Sequence, residues 1–128
     1  MTEKKASLLN PLVLAYVGDA VHSLFVRERL VNVSDHKAGA LHKLASDKVN
    51  AHAQACLADK LFSLLTEEEK EIFLRGRNGK NHHVAKNQTL HDYKNATGIE
   101  AVFGYLYLTG QNERLAQLVE TEFESYEN

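Results

Sequence analysis

Two apolar stretches, each punctuated by glycine and each carrying one acid, constrain this chain more than anything else in it. The first is Leu14-Ala-Tyr-Val-Gly-Asp-Ala-Val21 and the second is Ala96-Thr-Gly-Ile-Glu-Ala-Val-Phe-Gly-Tyr-Leu-Tyr-Leu108. Burying a carboxylate without a partner costs several kcal/mol or forces it to take up a proton, so Asp19 and Glu100 need a reason to stand where they do. Glycine inside a helix costs roughly 1 kcal/mol relative to alanine, so Gly18 marks a close approach of backbones rather than a helix-favouring choice. Two helices that each turn one acid inward point to a shared metal site.

The rest of the chain reads as helix nearly throughout. Pro11 suits a first turn, and residues 12 to 30 are apolar almost all round, which predicts a central, buried helix. Ser34 or Asp35 can cap a second helix, whose apolar face runs through Leu41, Leu44, Ala45, Val49, His52, Ala55 and Cys56 at helical spacing. Thr66-Glu-Glu-Glu69 is a capping box, followed by inward Ile72 and Phe73 and a stop near Gly76. Residues 76 to 88 read as an irregular loop. Thr89-Leu-His-Asp92 opens the helix that carries Glu100, Thr109 and Gly110 close it, and a last helix places Leu115, Leu118, Val119 and Phe123 on one face. No hairpin signal appears, because Asn78-Gly79 lacks alternating apolar residues on either side. The fold class is therefore all-α.

A length of 128 residues matches a single domain, 1–128, able to bury one core. With 44% hydrophobic and 25% charged residues the composition is that of an ordinary globular protein, which excludes a disordered tract. One cysteine, Cys56, cannot form an internal disulfide and reads as a small buried thiol, which favours a reducing setting. The N-terminus has no signal-peptide pattern and no stretch approaches the roughly 20 apolar residues of a membrane span, so the expected location is the cytoplasm and no membrane contact is expected.

The net charge of −2 is unevenly spread. Residues 75–94 hold Arg75, Arg77, Lys80, Lys86 and Lys94 against Asp92 alone, leaving ten basic against sixteen acidic residues elsewhere. A basic loop rich in glycine and asparagine on an acidic body is an electrostatic footprint for a polyanion.

Taken together and in order, Leu14 to Val21, Arg75-Gly-Arg-Asn-Gly-Lys80 and Tyr93 to Leu108 resemble the ribonuclease III catalytic domain in its short form, the Mini-ribonuclease III family. The resemblance covers nearly the whole chain. It implies an all-helical, homodimeric endonuclease fold that cuts double-stranded RNA, with magnesium, or manganese as a substitute, in each active site. It further implies maturation of the large-subunit (23S) ribosomal RNA precursor, with a ribosomal protein as a possible partner. Asp19 and Glu100 are then the catalytic residues and metal ligands. Magnesium prefers oxygen ligands and usually keeps several waters while taking one or two carboxylates, so two acids suffice.

The chain departs from the larger ribonuclease III enzymes, which carry glutamates where it has Leu12 and Ala15 and an aspartate where it has Thr97. Thr97 is left to act through its hydroxyl or a bound water, and His22, one turn beyond Asp19, is close enough to orient that acid or a water, although a packing or interface histidine is the commoner case. The chain also has no separate double-stranded RNA-binding domain, so its own surface must hold the substrate. A-form RNA is recognised through phosphates, 2′-hydroxyls and shape, which suits Arg75, Arg77, Asn78, Lys80 and Lys86. Arg75 has a competing structural role, because an arginine at a helix C-terminus can bind the last carbonyls. His82 and His83 lack a third nearby ligand and have poor spacing for zinc. Tyr16, Tyr105 and Tyr107 lie in apolar helical runs and read as core or dimer contacts. Two other classes remain: a catalytically silent RNA-binding or ribosome-assembly module of the same fold, and a helical interaction protein whose acidic end, Glu113 to Glu127, docks a basic partner.

Overall fold

The computed structural model describes residues 1–33, 37–79 and 89–127. Among them there are only helices: α1 (Glu3–Ser7), α2 (Pro11–Val33), α3 (Ala38–Val49), α4 (Ala51–Leu61), a short 3-10 turn (Phe62–Leu64), α5 (Glu67–Arg77), α6 (Leu90–Leu108) and α7 (Asn112–Glu127). The all-α expectation holds, and no described helix is long and apolar enough to cross a membrane.

The centre of the fold is α6, where the sequence alone suggested α2. Every residue of α6 from Asn95 to Leu106 is buried except Glu100. By contrast α2 is covered on one side only: Leu14, Val21, His22, Val26 and Leu30 face inward, while Val13, Tyr16, Leu24 and Val31 are exposed. The main core joins α2, α4, α5, α6 and α7, and a smaller cluster of Val26, Leu30, Ala45, Val119 and Phe123 fastens α3 to the far end of α2.

Helix ends follow the local chemistry. Pro11 opens α2. At α5 both halves of the capping box form, with the Glu69 N–H donating to Thr66 Oγ1 at 3.1 Å and the Thr66 N–H donating to Glu69 Oε1 at 2.9 Å. The Asp92 N–H donates to Thr89 Oγ1 at 3.0 Å to start α6, and Gly110, with φ of +75°, takes the left-handed turn that follows it.

The single helix expected to run from a cap at Ser34 or Asp35 through Leu41 to Cys56 is in fact two, α3 and α4. Asn50 adopts an extended backbone (φ −71°, ψ 162°) and its side chain accepts from the Ala53 N–H at 2.9 Å, ending α3 and capping α4. A side chain that can bond its own backbone competes with helix continuation, and here it wins. The break resets the phase of α4, whose inner face is Gln54, Ala55, Leu57, Ala58 and Leu61. His52 and Cys56, expected on that face, are exposed instead. The residue preceding α3 is Lys37, and the expected caps Ser34 and Asp35 lie outside the described residues.

Candidate active site

The two acids are brought together by the absence of side chains. An added Cβ on Gly18 would stand 1.7 Å from the Glu100 carbonyl oxygen, and one on Gly104 would stand 1.9 Å from the Leu14 carbonyl oxygen. Backbone lies on backbone where α2 crosses α6, as the glycine in the first apolar stretch predicted. This seam sets Asp19, the neighbour of Gly18, across from Glu100.

Asp19 and Glu100 open into one concavity of about 900 Å³, together with Thr97 and the rings of Tyr16, Tyr93 and Tyr107. Asp19 is exposed and Glu100 half-buried. Burial, and then the negative charge of Asp19, push the Glu100 carboxyl up to about 8. Among the described residues no hydrogen bond or ion pair reaches either carboxylate. An acid held at that cost without a cationic neighbour is characteristic of a functional site. Thr97 lines the concavity but is largely buried, and its hydroxyl donates to the Tyr93 carbonyl at 2.9 Å.

These residues fit a hydrated divalent cation. Two carboxylates open to water supply hard oxygen ligands and leave the remaining positions to water, as magnesium prefers. No described group of three or more His, Cys, Asp or Glu residues gathers around one point, so zinc-type ligation has no basis among the described residues.

The other expected site residues divide. His22 is wholly buried, with its ring held between α4, α6 and α7. Its Nε2 lies 2.9 Å from Glu122 Oε2, its Nδ1 lies 3.4 Å from Gln54 Nε2, and its ring stacks on Phe103 at 4.9 Å. Both ring nitrogens are thus engaged away from Asp19. Arg75, near the end of α5, donates to the carbonyls of Ser7 and Leu9, the structural role open to it from sequence. Arg77 donates from Nε to Asn78 Oδ1 at 3.3 Å and lies at the end of α5 beside the basic segment. Lys80 and Lys86, like His82 and His83, lie outside the described residues. Glu122 had gone unnoticed, although Leu115, Leu118, Val119 and Glu122 share the helical spacing of a buried face.

The ribonuclease III domain family matches residues 12–111, the span that holds both acids and the glycine seam. Several relatives are similar over most of their length. A Mini-ribonuclease 3 from Enterococcus faecalis is 46% identical, covering 87% of this chain and 86% of that one. One from Thermoanaerobacter is 43% identical over 94% of this chain and 84% of its own. The crystal structure of protein FN1578 from Fusobacterium nucleatum superposes with a TM-score of 0.84 at 28% identity, covering 93% of this chain and 95% of that one. The chain belongs to the ribonuclease III family and, within it, to the Mini-ribonuclease 3 group.

Proposed function

We propose that this protein is a divalent-metal-dependent endoribonuclease that hydrolyses phosphodiester bonds in double-stranded RNA, with the large-subunit (23S) ribosomal RNA precursor as its natural substrate. The observation that carries the reading is the pair Asp19 and Glu100, unpartnered among the described residues, in one open concavity inside the span that matches the ribonuclease III domain. The names of its relatives support the ribonuclease activity.

Asp19 and Glu100 are the residues that would hold magnesium or manganese. Such an ion, when bound, supplies a water of lowered pKa and neutralises charge on the phosphate. The chain's own part is to present two carboxylates at fixed spacing across the glycine seam and to place the Thr97 hydroxyl beside them. Arg77 and Asn78, with Lys80 and Lys86 in the basic segment, bind the RNA backbone, while Arg75 contributes charge from its anchored position. Binding through phosphates weakens steeply with salt, because each neutralised phosphate releases counterions.

The protein works as a homodimer in this reading. Val13, Tyr16, Leu24 and Val31 leave an apolar stripe on α2, and Tyr16 is 83% exposed, unusual for a large ring on an otherwise apolar helix. A second copy covers that stripe, and sedimentation showing a monomer at micromolar concentration argues against it.

The decisive experiment is cleavage of a long RNA duplex by the wild-type and Asp19→Asn proteins, with magnesium and with chelator, beside a single-stranded control. Duplex-specific, magnesium-dependent cutting that is lost in the variant is the expected result. Tight duplex binding without cutting by the wild type, even with ribosomal protein added, overturns the reading in favour of a silent RNA-binding module.

A further inference from the structure

The buried polar cluster around His22 is not used by the chemistry above. Its imidazole is wholly excluded from solvent, and so, to within 1%, are its partners Gln54 from α4 and Glu122 from α7. The Gln54 amide oxygen Oε1 and the second carboxylate oxygen Glu122 Oε1 are buried with no hydrogen-bond partner among the described residues. An apolar trio of similar volume would pack here at no such cost, because buried polar groups left half-satisfied lower stability. The Gln54 amide N–H faces Nδ1, which leaves Nε2 as the proton-bearing nitrogen that donates to Glu122.

The location of the cluster explains what it does. His22 follows Asp19 by three residues on α2, and Phe103, on which its ring stacks, follows Glu100 by three residues on α6. The seam that joins these helices is glycine against backbone at Gly18 and Gly104. Such a seam is close but smooth: with no side chain there to interlock, it limits how near the helices come and only weakly how far one turns or slides. His22 adds a polar constraint to the apolar contacts of Leu14 and Val21 that flank the seam, since its two nitrogens are held by separate helices and its ring lies flat on α6, with an interplanar angle of 13°.

We propose that His22, clamped by Gln54 and Glu122, is a positioning residue that fixes the rotation and register of α2 against α6 and so sets the spacing of Asp19 and Glu100 for their cation. The proposal rests on the reading of those two acids as the cation-holding pair, and the test separates the two ideas.

Manganese binding, followed by the paramagnetic resonance of the free ion, and duplex cleavage are measured for wild type, Asp19→Asn, His22→Leu and His22→Gln, all well below their thermal midpoints. His22→Leu is expected to bind manganese about tenfold more weakly and to lose kcat by a similar factor with KM for duplex unchanged, the range seen when groups that orient a metal ligand are removed. His22→Gln, whose amide can still donate to Glu122, recovers most of both. A His22→Leu protein that loses thermal stability alone, with wild-type manganese affinity and kcat, makes the imidazole a packing group and overturns the proposal. If His22→Leu does not fold, Gln54→Leu removes one of the two clamps and carries the same readouts in the same direction at smaller size. Asp19→Asn with unchanged manganese binding overturns the acid pair itself, and the positioning role with it.

Discussion

Glu69 and Glu100 are both shielded glutamates on helices packed against each other, and the protein treats them in opposite ways. Burial alone would raise the Glu69 carboxyl, but the Arg114 guanidinium and the Thr66 N–H outweigh it and hold this acid below the ordinary carboxylate range. Arg114 reaches Glu69 through Nε at 3.0 Å and an amino group at 2.9 Å, while the same amino group donates to the Leu64 carbonyl at 2.7 Å. Among the described residues Glu100 has no such partner, and it is pushed up to about 8 by burial and by Asp19. Position in a helix or degree of burial therefore does not separate a structural acid from a functional one. What separates them is whether the fold supplies the counter-charge or leaves it to be supplied from outside.

Breaking each side of this contrast gives different losses. The largest is expected from Asp19→Asn, which should lower duplex cleavage on the order of a thousandfold or more while circular dichroism and thermal midpoint stay near wild type. Gly18→Ala should follow, since its methyl group would overlap the Glu100 carbonyl; a loss of about 3 kcal/mol or more in a urea titration is expected. Retention of wild-type stability there would mean that the two helices separate freely. Arg114→Ala strands the Glu69 carboxylate and should cost about 2 kcal/mol, below the full value for a buried pair because Arg114 is partly exposed, with kcat unchanged.

Manganese at 100 times its dissociation constant should stabilise the wild type by about 2.7 kcal/mol and Glu100→Gln by much less, as read from thermal midpoints. A pair of opposed pH slopes is also expected in the metal-free protein. For Glu100 the folded state keeps its proton from the ordinary glutamate value near 4.5 up to about 8, so stability falls as pH rises through that window. For Glu69 the contribution is present above that ordinary value and is lost as pH falls through the lower folded one. Denaturant titrations across pH should lose the first slope in Glu100→Gln and the second in Arg114→Ala.

Much of this was legible in the residues because the signals are local. Pro11, Thr66 with Glu69, and Thr89 with Gly110 mark helix ends through bonds that span a few residues, and Gly18 beside Asp19 announced both the close approach and the acid. The break at Asn50 was missed because apolar spacing runs on across it, and only the competition between side chain and backbone decides such a position. Exposure of one side of α2 was hidden because its apolar residues encircle the helix. His22 was placed beside Asp19 by sequence distance, whereas its partner Glu122 is 100 residues away, a pairing that local periodicity cannot report. For Arg75 the sequence left an RNA contact and a carbonyl-binding role open, and only the approach of the Ser7 and Leu9 carbonyls decides between them.

Because Gly18 and Gly104 let one main chain rest directly on another, the amides around them belong to the part of the molecule that opens last, within a residue of the solvent-facing carboxylate of Asp19. Active centres built on loops inherit the loop's local melting and lose their geometry long before the protein unfolds. Here the two acids ride on the packed crossing of α2 and α6, so the concavity they share should stay assembled until the whole domain comes apart.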